Sequence, residues 1–596
     1  MSAGDAPGQS PFVRPQAIAG RHFPVVIVGA GINGVGVFRD LALQGIDCLI
    51  VDKADVAAGA SSAPSRMIHG GLRYLEHGSF ALVAEATRER NLLLRNAPHL
   101  VRPLRTVVPL SSPFGGLLGS VLRLVRVPMA ASERGLLVVA LGLRLYDLLG
   151  RRQRVMPGHR IQRLPARDGA LFRPGVRWTA TFFDAWISHP EWLMHELIAD
   201  AVRDQPRSAA ATYCRVTGCS GRFLSLRDET SGETVQVSAD VIVNATGAWL
   251  DRSAAALQGD DARVMGTKGS HLVLDHPVLA RELDGRMAYF EASDGRVCIA
   301  YPFHGRVLVG STDIPVDDPD QAATEPAEVD YLLGVLEALF PTLGFDRRQV
   351  LYTFVGVRPL ARSRADQPGR IARDHSVVVD PPSGGRASSM VSLIGGKWTT
   401  FRALSAQAAD EVLRLLARPR RRSTEQLPVG GGAAWPADAA AREAFVARLQ
   451  AATGCGHRRA TDLLARYGTQ ALPLAQAFAA AGDVPLQHAP DHSIAEIRYL
   501  CRATGVVHLA DLVIRRTLLA ISGRLSAPLL AELADIACDA LGWDAARRRH
   551  ELEACATLLR EHHGVALDGA AATHRSPAAF DASLPAGPLS NAVQPT

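Results

Sequence analysis

The chain reads as an α/β plus α+β protein that ends in a separate helical domain, and three observations carry that reading. Short β-branched runs (VVIVG from 25, CLIVD from 48, VIVNATG from 241, VLVGSTD from 307, SMVSLIGG from 389) alternate with Ala/Leu/Arg stretches of helical period, the pattern of an α/β or α+β chain. A Gly-x-Gly-x-x-Gly spacing stands between the first of these runs and a helical stretch. Past residue 440 the strand runs stop and helical periods take over, as in REAFVARLQAA, RRATDLLARYG and LLAELADIACDALG.

At 596 residues the chain exceeds one ordinary core, so two or three domains sharing an interface are expected. Net charge is +6, but 65 Lys and Arg face 59 Asp and Glu. That balance argues against a nucleic-acid binder and fits an anionic substrate or lipid surface. The eight cysteines are scattered, with no Cys-x-x-Cys pair and no zinc-like His spacing, and read as free thiols of a reducing compartment. The start MSAGDAPGQSPFVRPQ has no basic-then-apolar signal, which points to the cytoplasm. The longest tempting apolar stretch, TVVPLSSPFGGLLGSVL at 106–122, is broken by Pro109, Pro113 and glycines and falls short of the roughly 20 apolar residues a spanning helix needs.

In chain order, residues 1–22 are rich in Pro, Gly and Ala without periodicity and are expected to be disordered, as is the tail 567–596. VVIVGAGINGVGVFRDLALQG then places Gly29, Gly31 and Gly34 between a buried-type strand and a helix, and DCLIVD closes a βαβ unit with Asp52. Gly29 permits the tight turn, Gly31 lets the backbone approach a pyrophosphate, and Gly34 allows close helix-to-strand packing, with Asn33 in the same loop. The helix N-terminus faces the phosphates. Asp52, 23 residues beyond Gly29, is placed to accept from the ribose hydroxyls of NAD or FAD, which the motif alone does not separate.

The following stretch, SSAPSRMIHGGLRY, fits a flavin. In flavin enzymes that place the dinucleotide fold first, the chain after the second strand runs beneath the isoalloxazine, where small residues let backbone approach a flat ring. Ser61, Ser62 and Ser65 are then placed to bond phosphate or ribitol. Gly70 and Gly71 pass under the ring beside Leu72, and Arg73 and Tyr74 reach its reactive face. Further on, RPRRRSTEQLPVGGGAAWP mixes a basic run with Gly and Pro and reads as a linker over 416–440, with the helical domain at 441–566 beyond it, whose Arg498, Arg515 and Arg516 read as protein contacts or solvated faces.

GAGINGVG, SSAPSRMIHGGLRYLEHGSFALVAEATRERNLLL, NATGAW, TKGSH, GSTD, GVRPL, IARDH and GGKWTTFRALSAQAAD, in that order, resemble the FAD-dependent glycerol-3-phosphate dehydrogenases that feed electrons to a membrane quinone. The likeness runs from about 24 to 545. It implies noncovalent FAD and a Rossmann-like flavin domain (23–415) interleaved with a substrate-binding β-sheet domain of roughly 100–200 and 250–350, with the helical domain as a cap. It also implies that Ala245 and Gly247 of NATGAW return to the nucleotide, and that Gly396, Lys397 and Thr399 of GGKWTT lie near the pyrimidine end.

A glycerol phosphate is a dianion with a secondary alcohol, so its pocket needs fixed cations and one proton acceptor. The resemblance supplies Arg73, Arg358, Arg373 and Lys397 as the cations, and an arginine fork matches phosphate oxygens. For the catalytic set, His69 is the first candidate acceptor, ahead of His271 and Lys397, since imidazole titrates near neutral pH; Arg358 and Tyr74 complete the substrate site. Residues 117–152 alternate apolar blocks with Arg123, Arg126, Arg134, Arg144, Arg151 and Arg152, the signature of an interfacial helix pair on anionic lipid, which implies peripheral attachment to the inner (plasma) membrane. A homodimer is compatible with the sequence.

One departure stands out. After FFDAW the family continues with an Asp-Asp-Ala-Arg-like run, whereas this chain has ISHPEWLMHEL, with Glu191 near the place of that arginine. Either the segment faces elsewhere, or the substrate is another hydroxy acid or polyol phosphate. The competing readings are an oxidase using oxygen and a flavin-binding protein without turnover.

Overall fold

Two sheets share the chain, which crosses between them repeatedly. The computed structural model describes residues 10–114, 135–150, 155–164, 171–259, 262–362 and 375–567. The first sheet has eight strands. Its centre is parallel: His22–Val28 lies between Thr234–Asn244 and Cys48–Val51, with Ala209–Ala211 and Ser389–Ile394 outside them. These strands read as nearly unbroken apolar runs because both faces are covered, one by the strands Cys214–Ser220 and Phe223–Asp228 with the short helix Leu250–Ala256, the other by long helices. Ile32–Leu43 packs there with Pro190–Asp204 and Phe401–Leu415.

The second sheet has ten strands and is mainly antiparallel. It takes Met67–Ile68, Val101–Leu110, Arg160–Arg163 and Trp178–Ile187, then the run from Val264–Leu274 to Val350–Ala361. The two blocks of the second sheet therefore end near 187 and 361 rather than 200 and 350, because the helix at 190–204 belongs to the first layer. Interleaving has a physical purpose: the seam between the sheets receives loops from both.

Three expectations are corrected. Residues 10–22 are ordered: Ile18 is fully buried in a short 3₁₀ turn, and Phe12 bridges Ala210. The segment 416–440 is packed rather than a free tether. A Cβ on Gly431 would lie 2.1 Å from the Tyr467 carbonyl oxygen and one on Gly432 2.2 Å from that of Asn96, so these glycines serve close approach. Arg515 and Arg516, read as solvated or available for contacts, are instead paired with Asp55 at 2.5 and 2.6 Å and tie the helical domain to the loop after the second strand. Burial alone would raise the Asp55 pKa, but Arg516 and then Arg515 hold it well below the carboxylate range. The tail 568–596 lies outside the described residues.

The helix Leu136–Leu149 lies against Trp178–Ile187. Val139, Leu143 and Tyr146 face inward, while Leu137, Leu141, Arg144 and Leu148 face outward, the 3.6-residue period of an amphipathic element. Of the basic positions predicted for this region, Arg123, Arg126, Arg134, Arg151 and Arg152 lie outside the described residues. Among the described residues no helix is long and apolar enough to cross a membrane.

Candidate active site

The dinucleotide loop is built from backbone geometry. Gly29 has φ +106°, and a Cβ there would lie 2.6 Å from the Ala245 carbonyl oxygen, so only glycine fits. A Cβ on Gly34 would come 2.0 Å from the Gly29 carbonyl oxygen, the close helix-to-strand approach of this motif. Ser61 Oγ accepts from the Ile32 amide at 3.0 Å, at the start of the helix. Asp52 accepts from the amides of Ala30 (2.7 Å) and Ala54 (2.9 Å). A carboxylate has about four acceptor positions, so two remain for ribose hydroxyls. Burial, opposed by the Ala54 and Ala30 amides, pushes the Asp52 pKa up to about 6.

The cradle fits a dinucleotide. Asn33 Oδ1 is buried without a partner among the described residues, beside Gly396, where a Cβ would lie 2.7 Å from Asn33 Nδ2. A buried acceptor of this kind calls for a donor from outside the protein. The cavity has a volume of about 1190 Å³, above the roughly 300–1,000 Å³ of ordinary small-molecule sites, which suits a dinucleotide plus a small substrate.

The predicted cofactor residues line this cavity, apart from Gly34, Ser62 and Gly70. Gly34 serves packing, as the motif requires. Ser62 Oγ instead donates to the Gly59 carbonyl at 3.2 Å and holds a turn. Gly70 backs the wall rather than passing beneath a ring: its amide donates to Tyr146 Oη (2.9 Å) and Asp184 Oδ1 (3.1 Å).

At the other end of the same cavity stand His69, Tyr74, His271, Arg358 and Lys397. Lys397 Nζ lies 3.8 Å from the centroid of the Tyr74 ring. Arg358 donates to Asp313 Oδ1 (3.0 Å) and Ser311 Oγ (2.9 Å), over Gly269, whose Cβ would meet the guanidinium at 2.2 Å. His271 stacks on Phe354 (centroids 4.7 Å apart, planes at 5°) and its Nε2 lies 2.7 Å from Ser65 Oγ. Burial, then the Arg358 charge, lowers its pKa to about 3. The His69 amide donates to Thr399 Oγ1 at 3.1 Å. Arg373 and the side chain of Arg73 lie outside the described residues.

Glu191 does not face the cavity. It pairs with Arg66 at 3.2 Å, both side chains 2% exposed, so the charge reversal is neutralised in the core. Sequence reasoning missed two features of the wall. Asp184 carries a buried cluster with Arg90 and Tyr146, and its signal was a lone acid within the apolar strand FFDAW. Asp320 reaches across the nucleotide end to Lys53 (2.7 Å), Trp249 (2.8 Å) and Arg252 (3.0 Å). No cluster among the described residues is fit to hold a metal ion.

Residues 24–402 match the FAD dependent oxidoreductase family, and residues 422–548 match the C-terminal domain of alpha-glycerophosphate oxidase. A glycerol-3-phosphate dehydrogenase of Synechocystis sp. is 31% identical over 91% of this chain and 96% of its own. The chain belongs to the FAD-dependent glycerol-3-phosphate dehydrogenase family. FAD is the cofactor of that family. Similar to this chain as well is a D-erythritol 1-phosphate dehydrogenase of Brucella abortus, 29% identical over 82% of this chain and 93% of that one. In fold the chain resembles the glycerol-3-phosphate dehydrogenase from Bacillus halodurans complexed with FAD, with TM-score 0.70 at 19% identity over 91% of this chain and 96% of that one.

Proposed function

We propose that the protein oxidises sn-glycerol 3-phosphate to dihydroxyacetone phosphate and passes the electrons to a membrane quinone. FAD, when bound, supplies the two-electron acceptor for the hydride, at N5. The observation that carries this reading is the single cavity shared by the dinucleotide loop, His69, Tyr74, Arg358 and Lys397. Arg358 and Lys397, with Arg73 and Arg373, hold the phosphate; Asp313 and Ser311 fix the Arg358 fork in advance, so little orientation is left to lose on binding. His69 accepts the hydroxyl proton as the carbon gives up its hydride. His271, with a pKa of about 3, is too weak a base at neutral pH and orients Ser65 instead.

A longer polyol phosphate is the second reading, favoured by the similarity to the D-erythritol 1-phosphate dehydrogenase. Seating on anionic lipid is supported by the outward Leu137, Leu141 and Leu148 beside Arg144. Anaerobic mixing with glycerol 3-phosphate is expected to bleach the flavin spectrum, with colour returning on addition of a soluble quinone. Bleaching only by D-erythritol 1-phosphate moves the substrate, peroxide formation in air with no quinone reduction moves the acceptor, and a flavin that stays yellow with both phosphates overturns the proposal.

A further inference from the structure

The wall behind His69 contains a polar cluster that the reaction outlined above does not use. Tyr146, from the amphipathic Leu136–Leu149 helix, donates its hydroxyl to Asp184 Oδ1 at 2.6 Å and accepts from the Gly70 amide at 2.9 Å and Arg90 Nη1 at 2.8 Å. Arg90 Nη1 also donates to Asp184 Oδ1 at 2.8 Å and to the Phe183 carbonyl at 3.2 Å. Arg90, Tyr146 and Asp184 are 6%, 3% and 2% exposed, so their bonds are shielded from water and their geometry is narrowly defined. Asp184 itself lines the cavity.

The cluster acts on the chain that carries the proposed base. The His69 amide is held by Thr399 from one side, and the next amide, Gly70, is held by Tyr146 and Asp184 from the other. A Cβ on Gly70 would lie 2.3 Å from Tyr146 Oη and 2.4 Å from Thr87 Cγ2, so the loop is pressed against the cluster. Gly71 then turns through φ +76° into the cavity.

We infer that Tyr146 is a positioning residue: its hydroxyl fixes the Gly70 peptide and so sets where His69 and Gly71 stand relative to a bound flavin and substrate. This rests on the functional reading above. Removing the hydroxyl leaves the Arg90–Asp184 pair and the Gly70–Asp184 bond in place, so Tyr146→Phe is a fold-compatible variant. The control is Val139→Ala, which opens a cavity under the same helix while leaving every hydrogen bond of the Gly70 peptide in place, Val139 being 8% exposed in the same apolar cluster.

The experiment compares FAD-loaded full-length wild type, Y146F and V139A by visible circular dichroism of the flavin and by rapid anaerobic reduction with glycerol 3-phosphate, well below the unfolding temperature of each. Y146F is expected to keep full FAD and wild-type substrate affinity, to alter the flavin dichroism, and to reduce about tenfold more slowly. V139A is expected to lose thermal stability while keeping the wild-type spectrum and rate. A Y146F protein with unchanged dichroism and rate overturns the assignment, as does an equal slowing in V139A. If wild type is not bleached by the substrate, the functional reading fails, and the dichroism comparison alone then decides for or against Tyr146.

Discussion

Glycines shape both ends of the cavity, but neighbours at very different distances along the chain require them. At the nucleotide end, Gly34 is pressed against the carbonyl of Gly29, a close neighbour in the chain. At the reacting end, Gly70 is pressed against Tyr146 and Thr87, and its amide is bound by Asp184. The first glycine belongs to a motif that folds the same way wherever it occurs. The second exists because a distant helix and strand converge there. A glycine pair beside a cofactor is thus not by itself evidence of contact with that cofactor.

Gly34→Ala and Gly70→Ala test this difference most severely. At Gly34 the clash is with backbone, which no rotamer change relieves, so the variant is expected to lose about 1–3 kcal/mol to overpacking and to purify without FAD. At Gly70 the clash is with a phenol and a methyl group, which move aside; FAD is retained and flavin reduction slows. The ratio of flavin to protein absorbance separates the two. If G70A is also colourless, the two glycines do the same work and the contrast is wrong.

Next in functional effect, since it leaves the cavity lining in place although its cost in stability is larger, is the Asp55–Arg516 pair, which asks whether the helical domain supports the nucleotide end. Removing one partner of a buried pair leaves an uncompensated charge, at a cost of about 3–5 kcal/mol, so Asp55→Asn is expected to lower stability by that order in urea at pH 7. Because the folded pKa of Asp55 is depressed, its contribution is full above the unfolded carboxyl value near 4 and is lost as pH falls through the lower folded value. In D55N that acid-side loss is absent.

These contrasts also mark what was legible. The βαβ unit with Gly29, Asp52, the alternation of strands with helices and the helical end were visible because each rests on local period or spacing. The second, interleaved sheet and cavity positions within ordered motifs, such as His271 and Thr399, came with the family resemblance. The rest was hidden where burial joins distant residues: Arg516 to Asp55, Glu191 to Arg66, Tyr146 to Gly70. A buried arginine and a solvated one look alike in a sequence, and the packed Gly431–Gly432 looks like a flexible linker, because composition carries no information about what lies across the fold.

A third and smaller effect tests Asp52. Its folded pKa of about 6 lies above the ordinary value of 3.8, so in the absence of ligand its contribution to stability is full below about 3.8 and is lost as pH rises through about 6. Ribose hydroxyls donate more strongly to the ionised form, whose oxygens accept charge-assisted bonds, than to a neutral carboxyl. FAD affinity, read by quenching of flavin fluorescence, is therefore expected to be weaker at pH 5 than at pH 7, by at most about tenfold. Asp52→Asn should bind more weakly and show no such slope; a slope that survives in D52N assigns the titration to another group.

The smallest effect concerns Asp320, which brings the second sheet's connection over the nucleotide end through Lys53, Trp249 and Arg252. Unlike Asp55, its side chain is 49% exposed, so each ion pair contributes only about 0–1 kcal/mol and is screened by salt. Lys53 also lies 4.4 Å from the centroid of the Trp249 ring, so the strap retains a contact that does not need Asp320. Asp320→Ala is expected to release FAD about threefold faster at low ionic strength and at the wild-type rate near 0.5 M salt, where the Debye length is only a few Å. A wild-type release rate at low salt would mean the strap covers the cofactor without holding it, leaving retention to the buried glycine loop.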